Sequence, residues 1–375
     1  MNTTASPTRR RSATGSSTAG YKPLYDEERL QWEASSGLST WPKKLRLPRP
    51  RLRKGTVILL LIDAIIIGLV VCAFEPLITL LRRNEELFSP RLALPHNATV
   101  NTDPHGDRPH TIPRILHQTS ATATIPDRWI PAWQSCREVY AEFEYKHWTD
   151  ELARNFIQAE YPWFLDTWDN YPFPIQRADA IRYFVLHHYG GIYLDMDTIC
   201  NETIPLHLIE ADGTPHHAVF KSTTPTGVSN DLLITSSHHP LFAAAIAKLL
   251  YFNDITHFWA RIQPHVAVMM SAGPLFLTLT IKNYLLEQPS LPSSTVSVVN
   301  ATELAPYITD LEDCSWHKGD TKTLMWIGDR PWVWYLLGAI GLVIGVYILN
   351  HLLMKAFKGM SKLLSITDFK VAKLI

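Results

Sequence analysis

The chain has 375 residues, a formal net charge of zero and 46% hydrophobic residues. This length allows a large domain with additional segments, and the balanced charge does not favour a nucleic-acid-binding protein. The spacing of the four cysteines does not fit a zinc site, so we expect no structural zinc.

The N-terminal segment, residues 1–54, is rich in Ser, Thr, Pro and Arg and lacks hydrophobic periodicity, which is typical of a disordered tail. A cluster of basic residues without acidic ones, from Lys43 to Lys54, directly precedes an apolar stretch. The positive-inside rule places this tail in the cytosol. We interpret the cluster as a signal for topology and lipid contact rather than for nucleic acid.

Two apolar stretches, Val57 to Phe74 and Trp332 to Met354, are each long enough to cross a bilayer, which takes ~20 residues. The alternative for either stretch is a buried core helix. We predict transmembrane helices at residues 55–75 and 331–354. The tail at 355–375 then returns to the cytosol, and the segment between the two helices is lumenal.

Between the predicted spans, residues 76–109 are polar and contain Pro and His, which predicts a lumenal stalk. In residues 110–320, short strands alternate with helices, which predicts an α/β fold with a mostly parallel sheet flanked by helices. Ligands of such sheets bind beyond the carboxyl ends of the strands. Both Gln118 and Asp195 are expected at such ends.

The stretch from Tyr171 to Cys200 is the most informative part of the domain. Its sequence predicts a short helix, a double-glycine turn and a buried strand, because glycine tolerates the left-handed geometry at a helix end. Asp179 and Arg182 are three residues apart, so they share one face of the helix. An ordinary ion pair explains this spacing equally well, and such a pair is compatible with a ligand-binding role.

Two aspartates, Asp195 and Asp197, follow the predicted strand at Ile192 to Leu194. On an extended chain they point the same way, and Met196 points the other way. Two carboxylates on one face suit Mg²⁺ or Mn²⁺, ions that usually also hold substrate phosphates. This pattern predicts an enzyme that handles a sugar nucleotide.

Three of the cysteines, Cys136, Cys200 and Cys314, lie in the predicted lumenal segment, where disulfides form. Three cysteines cannot all pair within one chain. Cys200 and Cys314 each flank a candidate site segment, so we predict a disulfide between them.

The stretch from Asp169 to Cys200 resembles glycosyltransferase family 32, whose members are lumenal enzymes with the GT-A fold. The resemblance continues in the segments that begin at Ile112 (Ile-Pro-Arg-Ile-Leu-His-Gln), Thr226 (Thr-Gly-Val-Ser-Asn-Asp) and Ser271 (Ser-Ala-Gly-Pro). The Gly-Val-Ser-Asn-Asp segment and the C-terminal apolar stretch look most like the catalytic subunits of mannosyl inositol phosphoceramide synthases. The resemblance implies a GT-A-like domain with one transmembrane helix on each side.

The resemblance also implies roles for individual residues. Asp195 and Asp197 would be the DxD pair that holds Mn²⁺ or Mg²⁺, and Asp197 would be the more direct ligand. Arg177, Asp179 and Arg182 would contact the sugar and diphosphate of the donor. Further donor-site, catalytic or metal-site residues would be His117, Gln118, Asn230, Asp231, Gly273 and His317.

Two of these residues have an alternative. Asp231 would lie near the reacting sugar or the acceptor hydroxyl, or it would cap the N-terminus of a helix. His317 would close the metal site from the C-terminal side, or it would be a surface residue.

By the same resemblance, the chain would be a Golgi membrane protein with a lumenal catalytic domain, active in sphingolipid biosynthesis. It would transfer mannose from GDP-mannose to inositol phosphoceramide with retention of configuration. A calcium-responsive regulatory membrane subunit is an expected partner, and its helix would contact Asp63 within the first span. The alternatives are a family 32 α-1,6-mannosyltransferase that acts on protein N-glycans, and a non-catalytic membrane subunit with the same fold.

Overall fold

The computed structural model describes residues 54–94, 110–224, 226–311, 326 and 330–371. The chain divides into two compact units, Met1–Leu61 and Ile62–Ile375. The described part of the first unit is the beginning of a long helix. The second unit contains the sheet, the surrounding helices and every described candidate site residue. The predicted tail before Lys54, together with Cys314 and His317, lies outside the described residues.

The described residues form the strands β1 (Ile115–Thr119), β2 (Glu144–Trp148), β3 (Gly191–Leu194), β4 (Thr198–Cys200), β5 (Ala218–Ser222), β6 (Val228–Thr235), β7 (Val296–Val299) and β8 (Ile308–Asp310). Six of them form a mixed sheet in the order β2-β1-β3-β6-β5-β7, and β4 pairs separately with β8. In the six-stranded sheet, β1 is parallel to β2 and β3, and β5 is parallel to β7. Only β6 runs against its neighbours, β3 and β5, within this sheet. The predicted α/β class with a mostly parallel sheet is confirmed.

The described α-helices are α1 (Lys54–Arg82), α2 (Asn84–Phe88), α3 (Ile130–Val139), α4 (Asp150–Glu160), α5 (Leu165–Asp169), α6 (Pro174–Tyr189), α7 (Leu206–Ile209), α8 (Pro240–His257), α9 (Pro264–Ser271), α10 (Pro274–Leu286), α11 (Ala301–Leu304) and α12 (Pro331–Val371). Short 3₁₀ turns occur at Asp127–Trp129, Pro162–Phe164 and Glu210–Asp212.

The apolar core lies on both faces of the six-stranded sheet. Tyr193 of β3 and Leu233 of β6 join the larger cluster. Ile192 and Ile234, their neighbours on the same strands, join a second cluster. This division follows from the alternation of side chains along a strand. All four residues of β3 are buried, as expected of a central strand that is covered on both faces.

Gly190 and Gly191 connect α6 to β3 in the predicted way. Their φ angles are +69° and +101°, values that side chains with a Cβ rarely adopt. A Cβ at Gly191 would lie 2.5 Å from the carbonyl oxygen of Ile115. The double glycine therefore allows β3 to pair closely with β1, and the predicted helix end is confirmed.

The end of α1 and the described residues that follow it pack against the domain, where the sequence had predicted a polar stalk at residues 76–109. Leu80, Leu87 and Phe88 are buried in the larger core cluster. The backbone amide of Arg91 donates to the carbonyl of Val298 at 3.1 Å, which adds this segment to the edge of β7. A few apolar side chains at helical spacing anchor a segment whose average composition is polar.

Three described segments are long and apolar enough to cross a membrane: Val57–Arg82, Pro264–Leu286 and Leu336–Gly359. The apolar windows of the first and third are 0% buried, whereas 61% of the middle window is buried inside the protein. The middle segment, which comprises α9 and α10, is therefore a core element. The predicted spans fall in α1 and α12, and their passage through a bilayer stays a prediction.

Asp63 of α1 has a hydrogen-bond partner within the chain. The side-chain amide of Asn350, on α12, donates from Nδ2 to Asp63 Oδ2 at 3.0 Å. The structure therefore supplies from α12 the polar contact that the sequence had led us to expect from another subunit. A hydrogen bond of this kind is one of the interactions by which apolar helices associate in lipid.

Candidate active site

The aspartate turn, Asp195–Asp197, lies between β3 and β4. The amide of Thr198 donates to the carbonyl of Asp195 at 3.2 Å, which closes a four-residue turn. The prediction of an extended chain through both aspartates is therefore wrong, because the chain reverses here to begin β4. Met196 is buried, whereas Asp195 and Asp197 are half-buried, so the turn still separates the two carboxylates from the apolar residue between them.

Arg182 of α6 joins two of the site's carboxylates. Its Nη2 lies 2.8 Å from Asp179 Oδ1, and its Nη1 lies 3.3 Å from Asp195 Oδ1. Nη1 also donates to the carbonyl of Asn230, and the guanidinium stacks over the Tyr193 ring at 4.6 Å. The predicted Asp179–Arg182 ion pair is confirmed, and the same arginine holds the first aspartate of the turn.

Asn230 and Asp231 are neighbours in the middle of β6, and they serve different parts of the site. The side-chain amide of Asn230 donates to Asp179 Oδ1 at 2.9 Å. The carbonyl of Asp231 accepts a hydrogen bond from the amide of Asp195 at 3.0 Å. Because β6 is a strand, the alternative of a helix N-cap at Asp231 is wrong.

A lysine that the sequence had not singled out, Lys221 of β5, contacts two further carboxylates close to the turn. Its ammonium contacts the carboxylate of Asp231, and it lies 3.3 Å from Asp310 Oδ2 on β8. Asp310 pairs across the small sheet with Thr198, directly after the aspartate turn. The sequence feature that could have pointed to this cluster is the position of Lys221 near the carboxyl end of β5.

Two carboxyl groups of the site, those of Asp195 and Asp179, have raised pKa values. The pKa of Asp195 is raised to about 7, chiefly by burial and also by the charges of Asp231 and Asp197, against the opposing effect of Arg182. Burial also raises the pKa of Asp179, against the effects of Arg182 and Asn230. The crowded carboxylates therefore favour the arrival of an additional cation.

The donor set fits a hard divalent cation that is bound partly by the protein. The described residues contain no group of three His, Cys, Asp or Glu side chains arranged to hold a metal. Two carboxylates are sufficient for Mg²⁺ or Mn²⁺ when water and substrate phosphates supply the other ligands. Asp195 and Asp197 are the residues that would hold such an ion.

Gln118, which is fully buried, contacts the backbone of the aspartate turn from the protein interior. Its Nε2 donates to the carbonyl of Asp195 at 3.4 Å, and its Oε1 accepts from the Tyr145 hydroxyl at 3.2 Å. The indole of Trp133 in turn donates to the same hydroxyl at 2.9 Å. A chain of side-chain hydrogen bonds thus supports the turn from β1 and β2, as the strand-end prediction implied.

His117 belongs to the opposite face of β1. Its Nδ1 accepts a hydrogen bond from the Trp148 indole at 3.1 Å, and its Nε2 lies 2.9 Å from the carbonyl oxygen of Gly190. Burial lowers the pKa of His117 to about 4, so the ring is neutral and donates from Nε2. Both ring nitrogens are engaged in the core, and the structure does not bring His117 to the aspartate turn.

Arg177 and Gly273 lie on neighbouring elements. Burial raises the pKa of Asp150 and the hydrogen bond from Arg154 lowers that of Asp169, and the charge of the half-buried Arg177 has a lowering effect on both. Gly273 precedes α10 in a tight turn, where an added Cβ would meet the Met269 Cα at 3.0 Å. Their predicted contacts with a donor stay predictions.

Cys136 of α3 and Cys200 of β4 form a disulfide, with a Cα–Cα distance of 4.7 Å. The predicted Cys200–Cys314 pair is therefore wrong. The helix α3 packs against β4, and the hydroxyl of Ser135 accepts a hydrogen bond from the amide of Cys200 at 3.0 Å. This packing brings together two cysteines that are 64 residues apart, and it fixes the strand that follows the aspartate turn.

Known proteins resemble the part of the chain that contains the aspartate turn. Residues 126–218 match a family model described as the glycosyltransferase sugar-binding region containing the DXD motif. The matched stretch includes Asp179, Arg182 and the whole aspartate turn, whereas Asn230 lies beyond its end. Among solved structures, the PaToxG glycosyltransferase has a TM-score of 0.34 at 17% identity and covers 51% of this chain and 76% of that chain. That likeness is too weak to identify the fold.

Three curated relatives are more informative. The mannosyl phosphorylinositol ceramide synthase SUR1 of Saccharomyces cerevisiae is 38% identical over 58% of this chain and 55% of its own length. Inositol phosphoceramide mannosyltransferase 2 of Schizosaccharomyces pombe is 38% identical over 57% of this chain and 61% of its own length. Inositol phosphoceramide mannosyltransferase 3 of the same organism is 34% identical over 66% of this chain and 68% of its own length.

The chain thus spans between 55% and 68% of the length of these relatives. For the third relative, the shared part exceeds two thirds at 34% identity. This extent, together with the match at the aspartate turn, shows that the chain belongs to the family of DXD glycosyltransferases that includes the inositol phosphoceramide mannosyltransferases.

Proposed function

We propose that the chain is a membrane-bound, retaining mannosyltransferase that transfers mannose from GDP-mannose to inositol phosphoceramide. The observation that carries the proposal is the aspartate turn, where Asp195 contacts the buried Arg182 and both aspartates are half-buried. The names of the three curated relatives supply the donor sugar and the acceptor class. The guanosine diphosphate follows from the family resemblance.

Some residues of the site would bind the cation, and others position the residues that bind it. When bound by Asp195 and Asp197, a divalent cation would supply Lewis-acid neutralisation of the departing diphosphate. Arg182 is 3% exposed and pairs with Asp179 and Asp195, so it positions both carboxylates, and its contact with the donor stays a prediction. Gln118 fixes the backbone of the turn from below.

Retention of configuration is best explained by front-face displacement. The bond between the anomeric carbon and the diphosphate breaks, and a new bond to the inositol oxygen forms on the same face. The proton of the inositol hydroxyl passes to the departing phosphate oxygen. Asp231 is poorly suited to act as a covalent nucleophile, because its carboxylate already accepts from Lys221 and from the amide of Leu232 at 2.8 Å.

A lipid acceptor fits the position of the domain. The end of α1 packs into the core through Leu80, and the ammonium of Lys282 donates to the carbonyl of Pro76 at 3.2 Å. If α1 crosses a bilayer, these contacts hold the domain against its surface. The inositol head group then reaches the site while the ceramide chains remain in the membrane.

The proposal includes a two-pass Golgi protein with a lumenal catalytic domain at 110–320. The described α1 and α12 are compatible with spans at 55–75 and 331–354. A calcium-responsive regulatory membrane subunit remains part of the proposal. Asp63 is not evidence for it, because Asn350 of the same chain already donates a hydrogen bond to Asp63.

The decisive experiment is an assay of the full chain in detergent with GDP-mannose, Mn²⁺ and inositol phosphoceramide. We expect a mannosylated lipid, and we expect EDTA or the Asp197→Asn substitution to reduce turnover about 100- to 1,000-fold. A high-mannose oligosaccharide, offered as a competing acceptor, tests the N-glycan alternative. Transfer to the oligosaccharide alone would reject the lipid acceptor. A wild-type chain that binds no GDP-mannose would favour the non-catalytic subunit.

A further inference from the structure

Lys221 connects three strands at the rim of the candidate site. Its ammonium contacts Asp231 on β6 and lies 3.3 Å from Asp310 on β8, while its own backbone belongs to β5. Its side chain is only 14% exposed, so the long, flexible stem is largely fixed by its surroundings. These three residues are called the Lys221 bridge below.

The strands that carry the Lys221 bridge also contact both ends of the aspartate turn. At one end of the turn, the amide of Asp195 donates to the carbonyl of Asp231 at 3.0 Å. At the other end, the amide of Leu311 donates to the carbonyl of Asp197 at 3.1 Å. The ends of the turn are therefore held by β6 and by the residue directly after β8, and Lys221 joins these same two strands.

The charges of the bridge explain why a cation is needed there. Asp231 and Asp310 contact the same ammonium, so without it two carboxylates would face one another and repel. These contacts raise the pKa of Lys221 even though burial lowers it, so the side chain is charged at neutral pH. A methionine at this position would fill similar space without joining the strands.

We propose that Lys221 is a positioning residue for the transfer reaction, which holds β6 and β8 against the aspartate turn and thereby sets turnover. This inference rests on the proposed glycosyl transfer. It concerns the geometry of the turn rather than the attraction of the cation. Lys221 is itself positive, so a purely electrostatic role would weaken the binding of a divalent ion.

The central test compares the wild type with Lys221→Met and Lys221→Arg in the GDP-mannose assay. We expect Lys221→Met to lower kcat about 100-fold, as a small misplacement of the turn would. KM for the donor and the concentration of Mn²⁺ required for half-maximal activity should not increase. Lys221→Arg should restore much of kcat, because a guanidinium also joins two carboxylates.

The matched control is Lys146→Met. Lys146 also lies on a strand and pairs with a carboxylate, Glu144, at 2.6 Å, but it belongs to the edge strand β2. Its replacement should leave kcat unchanged. An unchanged kcat in Lys221→Met would overturn the proposal, as would a Lys221→Met chain that loses only Mn²⁺ affinity.

Hydrogen exchange of the full chain, without donor, tests the bridge independently of catalysis. We expect the amides of Leu311 and Asp195 to exchange faster in Lys221→Met than in the wild type or in Lys146→Met. This result supports the bridge even if the wild type transfers no mannose, an outcome that would reject the proposed function alone. Equal exchange in all three proteins would reject the bridge.

Discussion

The aspartate turn has a cation on each side, and the two are held differently. Arg182 is 3% exposed, and its partner Asp179 is buried with it. Lys221 lies at the rim, where the side chain of its partner Asp310 is 34% exposed. One side of the turn is therefore a buried polar network, and the other is a bridge that water reaches.

Because of this difference, we expect the loss of Arg182 to affect mainly the stability of the fold and the loss of Lys221 to affect mainly turnover. Loss of Arg182 would leave Asp179 charged in a buried position, where water cannot replace the guanidinium. The free energy of unfolding should therefore decrease. Loss of Lys221 would leave carboxylates that water solvates in part, so the folded state survives and the geometry of the turn suffers. Substitutions that remove one charge at a time test this division.

The largest stability effect is expected at Arg182. Arg182→Met should destabilise the fold by about 3–5 kcal/mol, the usual result of removing one partner of a buried ion pair. A fall in the thermal unfolding midpoint of the detergent-solubilised chain, followed by circular dichroism, would measure it. Lys221→Met should lower the same midpoint far less.

Arg154→Met is the matched control for that prediction. Arg154 forms a 2.7 Å ion pair with Asp169, but its side chain is 43% exposed. A surface pair of this kind contributes about 0–1 kcal/mol, so the midpoint should barely move. If Arg182→Met and Arg154→Met were equally stable, the distinction between the two sides of the turn would be wrong.

A smaller effect is expected from the disulfide that fixes β4, on the Lys221 side of the turn. Replacing both Cys136 and Cys200 by alanine should cost about 2–4 kcal/mol, because the bond closes a long loop in the unfolded chain. Reducing agent should lower the thermal unfolding midpoint of the wild type about as far as the double substitution lowers it. Cys72→Ala, which removes the exposed free cysteine of α1, should leave the midpoint unchanged.

The two sides of the turn also differ in how far the sequence predicted them. Asp179 and Arg182 lie three residues apart on one helix, so their pairing followed from helical geometry alone. The residues of the Lys221 bridge come from three strands whose order in the sheet depends on long-range pairing. Spacing along the chain carries no signal for such a contact.

The errors in the prediction have the same origin. The extended conformation assigned to Asp195 and Asp197 ignored the need for the chain to turn back and form β4 against β8. The disulfide partner of Cys200 was wrong because the packing of α3 on β4 is a tertiary contact. By contrast, the double glycine at Gly190 and Gly191 encodes its own backbone geometry, and its prediction was correct.

The smallest predicted effect concerns the hydroxyl of Tyr193, which donates to Asp195 Oδ1 at 2.8 Å from the Arg182 side. Tyr193→Phe should cost about 1 kcal/mol of stability, the net value of a typical hydrogen bond. Turnover should fall less than in Lys221→Met, because Arg182 still holds the same oxygen at 3.3 Å. The control is Tyr161→Phe, which removes a hydroxyl bonded to His187 at 3.0 Å, far along α6 from the turn. If Tyr193→Phe reduced turnover as strongly as Lys221→Met, the orientation of the Asp195 carboxylate, rather than the bridge, would limit the reaction.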